Sequence, residues 1–210
     1  MKHLLLAFLL APQFATAGPI SFDGSWKEWT FRRFTPTDYS QQGAQLKATG
    51  KSTSSVLYKI LPQDARDAKS TSWSWSAASS VPATKLDQEG GDDRNMAVYF
   101  VFTDEKTSAK IAPNSSPARM MGRRSNFLVY AWGDSRAPGT LIKNPYNKRG
   151  VIYLLRPAGT GSFSETRNLA ADYKRAFGAA PGKLVGIAVA ADGDDTESSL
   201  NSTLKNLRLD

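Results

Sequence analysis

The chain has 210 residues, 40% of them hydrophobic and 22% charged, with a formal net charge of +8. That apolar share builds a sizeable core and excludes a wholly disordered chain. Cysteine is absent and the one histidine is His3, so beyond the N-terminus there is no Ser-His-Asp or Cys-His triad, no usual zinc ligand set and no His- or Cys-ligated haem. Carboxylate chemistry, a Ser-Lys pair, oxygen-ligated calcium or plain binding remain.

In chain order, Lys2 and His3 precede the apolar run Leu4 to Ala11. Pro12 breaks that run, and Ala15-Thr16-Ala17 places small residues before a cleavage point. This is the plan of a secretory signal peptide over residues 1–17. The run is far shorter than the roughly 20 apolar residues of a membrane span, and no later stretch approaches that length. The expectation is an exported chain, periplasmic or extracellular, with one domain over residues 18–210.

Strand patterns follow. Trp26 to Phe34 opens the domain with mixed periodicity, while Ala44 to Ala48 and Ser55 to Leu61 alternate. Thr71 to Ala77 alternates strictly and puts Trp73 and Trp75 on one face. Met96 to Phe102 and Asn126 to Trp132 are near-continuous apolar runs, as strands buried on both faces require. Stretch 103–125 lacks periodicity and reads as a long exposed loop. Val151 to Leu155, Leu184 to Ala190 and Thr203 to Leu209 complete the strands. One helix is predicted near 169–177, capped by Asn168, striped by Leu169, Tyr173, Ala176 and Phe177, and ended by Gly178. The fold class is all-β: a two-sheet, jelly-roll-like β-sandwich with one short covering helix.

Charge is unevenly placed. Residues 106–150 hold nine Lys/Arg against Asp134 alone, whereas stretches 85–105 and 192–210 are acidic. A basic face can steer an anionic partner, in an exported protein an acidic polysaccharide or phosphorylated glycolipid rather than nucleic acid. Alternatively, basic loops simply keep the protein in solution.

Two acidic turns are candidate metal sites. Asp92 and Asp93 end one turn, and Asp192, Asp194 and Asp195 lie on another. If they meet, their carboxylates suit calcium. Asp192-x-Asp194-x-Thr196 begins like an EF-hand, but Glu197 replaces the glycine at position six and Thr203 the glutamate at position twelve. The plain alternative is that these aspartates bond turn backbones. Glu165, Arg167, Asn168, Asp172 and Arg175 form a second, candidate ligand-binding set: the functional account puts Glu165 and Arg167 on a ligand-facing loop, and the plain alternative is a local i, i+3 ion pair of Asp172 with Arg175. Trp73, Trp75 and Trp132 read as core, and Trp26 and Trp29 as exposed aromatics for ligand stacking.

An ordered set of segments carries a resemblance: Trp73-Ser74-Trp75; Asp92-Asp93 before Val98 to Phe102; Tyr130 to Gly133; Glu165-x-Arg167-Asn168; Asp172 to Gly178; and Gly186 to Val189 leading into Asp192 to Thr196. Together they resemble the bacterial family named domain of unknown function 3047. The resemblance implies an exported, β-rich domain and assigns no activity. Where that family places an arginine just before the aromatic strand, this chain has Ala97, with Arg94 nearer the aspartates. The functional expectation is a binding module for envelope or extracellular glycan. The alternatives are a carboxylate-based enzyme acting on polysaccharide or lipid-linked sugar, and a structural partner of an envelope protein.

Overall fold

A computed structural model describes residues 18–210. The leader expected over Met1–Ala17 lies outside the described residues. Twelve strands run in chain order: β1 Lys27–Thr30, β2 Asp38–Gln42, β3 Gln45–Lys51, β4 Ser54–Ile60, β5 Ser70–Ser79, β6 Arg94–Thr103, β7 Ser125–Trp132, β8 Leu141–Lys143, β9 Gly150–Arg156, β10 Gly161–Asn168, β11 Lys183–Asp192 and β12 Ser199–Leu209. Helices α1 Glu105–Ser108 and α2 Pro117–Met120 lie between β6 and β7, and α3 Leu169–Phe177 follows β10.

The strands form a seven-stranded sheet, β1-β4-β11-β6-β7-β9-β8, packed on a five-stranded sheet, β10-β5-β12-β3-β2. All pairings are antiparallel except β7 with β9. The β-sandwich reading therefore holds.

Alternation decides which side chains enter the space between the sheets. Trp73 and Trp75 of β5 are each 2% exposed and Trp132 of β7 is 1% exposed, so these three are core. Trp75 meets Trp132 at 5.7 Å, and Trp73 meets Tyr130 at 5.4 Å. The continuous apolar strands of the larger sheet bury their second face too. There Tyr99, Val101, Phe127 and Val129 pack under Leu86, Ile111 and Met120 from the connecting loops.

Stretch 103–125 departs from the exposed loop expected. It contains α1 and α2 and buries Ser108, Ile111 and Met120. Arg66 pins it, donating from Nη1 to the Ser108 carbonyl at 2.6 Å and from Nη2 to the Ile111 carbonyl at 2.9 Å. Prolines and serines hid the helices, because Ser116 and Pro117 start a turn of helix too short to show periodicity.

Helix α3 is where its capping pattern placed it. The Asn168 side chain accepts from Ala171 N at 2.9 Å, and Gly178 takes φ +74° to end it. Leu169 and Tyr173 face the core, and Tyr173 lies 5.0 Å from Phe102. No helix among the described residues is long and apolar enough to cross a membrane.

Candidate functional site

The side chains of the second predicted set bond to other residues of the fold. Glu165 and Arg167 sit on β10, the edge strand of the smaller sheet, not on a ligand-facing loop. Glu165 accepts from Trp75 Nε1 at 3.1 Å and from Arg156 Nε at 2.9 Å. Asp172 does not pair with Arg175. It faces the sandwich, is 8% exposed, accepts from Tyr130 at 2.7 Å and takes both arms of Arg167 at 2.8 Å. Arg175, one turn on, donates to the Tyr153 hydroxyl at 2.7 Å. Trp26 is likewise not exposed. It is 4% exposed, stacked on Phe22 at 5.0 Å and bonded to the Ser21 carbonyl, because its segment closes the core. Only Trp29 of that set stands at a cavity.

That cavity, about 420 Å³, crosses the outer face of the seven-stranded sheet. Trp29 on edge strand β1, with Phe31 and Phe34, walls one side. Trp29 and Phe31 lie 5.4 Å apart, and Phe34 meets Phe31 edge-on at 6.3 Å. The loop after β8, at the sheet's other edge, brings Asn144, Tyr146 and Asn147 to the opposite side. Phe34 is 43% and Tyr146 59% exposed, unusual for large apolar side chains among the described residues. Tyr99, Asp92, Arg94, Asp192, Asp194 and Asp195 line it between these walls.

A bulge puts the charged residues there. On β11, Ala190 and Asp192 share a face, but their partners on β6 are Ala97 and Arg94. The extra residue on β6 turns Arg94 outward beside Asp192. Arg94 Nη2 then reaches Asp192 Oδ2 at 3.3 Å and the Tyr99 hydroxyl at 3.0 Å, while Nη1 holds Asp92 Oδ2 at 2.9 Å and the Asp92 carbonyl. Tyr146 donates to Asp92 Oδ1 at 3.0 Å.

The two acidic turns do meet. Asp93 is fully buried and accepts from Thr196 N at 2.7 Å, Thr196 Oγ1 at 2.5 Å and Asp195 N at 3.4 Å, so the first turn caps the second. This is the backbone-bonding role open to these aspartates. Asp93, Asp192 and Asp194 also bring carboxylate oxygens within 4.8 Å of one another. Burial, with Asp194 and Asp92 close by, pushes the Asp192 carboxyl well above the usual range although Arg94 pulls it down. Asp195 rises to about 6 through burial and then the charges of Asp194, Asp93 and Asp92. The groove is thus acidic, opposite in sign to the chain as a whole. Sequence had shown Arg94 beside the aspartates, but no local signal announced the bulge that aims it.

A family model described as protein of unknown function (DUF3047) matches residues 24–208. The chain belongs to this family. A comparison with curated proteins finds no match. Among solved structures, the chain is similar to the xyloglucanase domain of NopAA, a type three effector from Sinorhizobium fredii in complex with cellobiose. The TM-score is 0.49 at 9% identity, covering 88% of this chain and 92% of that one. Endoglucanase 3 of Trichoderma harzianum, from family GH12, aligns with TM-score 0.38 and 14% identity over 83% of each chain. The agarase AgWH50C aligns with TM-score 0.34 and 10% identity over 92% of this chain and 26% of that one. With TM-scores below 0.5, none of these likenesses bears on what this DUF3047 chain does.

Proposed function

We propose that this DUF3047 chain is an exported glycan-binding protein whose outer-face groove holds a short stretch of neutral glycan. Export is supported by the leader pattern of residues 1–17 and would be checked by N-terminal sequencing of the exported product, expected to begin at Gly18. The observation that carries the binding reading is the pairing, in one cavity, of aromatic walls with a hydrogen-bonding floor. Sugar rings have the same duality, with apolar C–H faces that stack on aromatic rings and hydroxyls that donate to carboxylates. Four aspartates against one arginine disfavour a uronate or phosphate, so the partner expected here is neutral.

Calorimetric titration with neutral and acidic oligosaccharides tests this. A neutral oligosaccharide should bind with an affinity nearly unchanged between low and high salt. Trp29→Ala and Tyr146→Ala should each weaken it by about tenfold, since a stacked aromatic contributes roughly 1–1.5 kcal/mol, with thermal stability retained. Preference for acidic glycans, or full affinity in both variants, would contradict the reading.

A further inference from the structure

We propose that Asp192, Asp194 and Asp93 form a divalent-cation site of the calcium type on the floor of the groove. Asp192 is 8% exposed, yet its buried Oδ1 has no hydrogen-bond partner. A carboxylate oxygen cut off from both water and donors is costly unless a ligand meets it. Its neighbours can supply that ligand's remaining contacts, because oxygens of Asp93, Asp192 and Asp194 converge within 4.8 Å. Among the described residues no Lys or Arg salt-bridges Asp194, whose carboxyl lies against that of Asp192. Asp93 spends its bonds on the Asp195–Thr196 turn, which fixes its carboxylate rather than neutralising it.

The charge balance points the same way. Five carboxylates gather here, from Asp92, Asp93, Asp192, Asp194 and Asp195, and among the described residues Arg94 alone salt-bridges any of them. Arg94 divides itself between Asp92 and Asp192. All-oxygen, carboxylate-rich donors on a turn select a hard cation, and an irregular set of this kind suits calcium's six to eight ligands better than magnesium's strict octahedron. Water would complete the sphere. Resting on the glycan reading above, the ion's outward positions would also accept glycan hydroxyls.

The test uses chelator-treated protein titrated with calcium by calorimetry, with terbium luminescence alongside. Trp29 and Tyr99 line the same cavity and should sensitise bound terbium, which calcium should displace. One saturable site is expected, with magnesium much weaker and Asp194→Asn raising the calcium dissociation constant by about tenfold or more. Because the Asp194 charge repels Asp192 and Asp195, the variant should melt at or above the wild-type temperature in chelator, separating lost binding from lost folding. No heat and no terbium signal up to about 10 mM calcium, equal affinity for magnesium, or unchanged affinity in Asp194→Asn would overturn the site. Glycan affinity with and without chelator is read separately. A fall on chelation supports coordination of glycan hydroxyls, and an unchanged value overturns that extension, with calorimetry still deciding the ion.

Discussion

Asp134 shows how one residue organises a distant loop. It is fully buried at φ +71°, and its carboxylate accepts from Ser135 N, Arg136 N and Leu86 N while Arg136 grips it from the side. Burial alone would raise its pKa, but the Arg136 side chain and these three amides hold it at about 2. A carboxylate depressed on folding stabilises fully above the unfolded value near 4, and that contribution is lost as pH falls toward 2. Asn tolerates the left-handed backbone, so Asp134→Asn should fold but be less stable at neutral pH. Denaturant melts should show its gap to wild type closing between about pH 4 and pH 2. A constant gap would contradict this role. In the sequence Asp134 stands out only as the lone acid of a basic segment. Its purpose is hidden because Leu86 is 48 positions away.

At the scale of elements, β10 and α3 are locked by Arg167 and Asp172. Removing the guanidinium leaves a buried carboxylate with only Tyr130, so Arg167→Met should cost about 3 kcal/mol in a denaturant melt. Arg175→Ala, at an exposed position, should cost less than about 1 kcal/mol. Equal effects would restore the i, i+3 pairing that spacing suggested. Which elements were legible follows from their place in the sheets. The continuous apolar runs of β6, β7 and β11 are central strands buried on both faces, and their unbroken hydrophobicity exposes them. The unpredicted strands β2, β8 and β10 all lie at sheet edges. Asp38-Tyr39-Ser40-Gln41-Gln42 and Gly161-Ser162-Phe163-Ser164-Glu165 are polar because an edge half-open to water tolerates, and needs, such residues. Glu165 and Arg167 read as loop for the same reason.

For the whole molecule, the larger sheet is the working layer. Its inner face builds the core, while its outer face is roofed by Leu86, Ile111 and Met120 except where the groove opens. Residue patterns revealed the sandwich, the core tryptophans and two acidic turns fit to meet. They showed two acidic stretches but not that these line a groove, where Arg94 is the one Lys or Arg against four aspartates. They singled out Trp29 but concealed its counterpart Tyr146, since the two belong to opposite edges of the sheet and meet one cavity only after folding. The account stands or falls on that cavity. The measurement that tests it most directly is a crystal structure with a neutral oligosaccharide bound. The account predicts density between Trp29 and Tyr146, above Asp192 and Asp194. Sugar on the serine-lined hollow of the smaller sheet around Ser74, Ser76 and Ser164, with the groove empty, would contradict it.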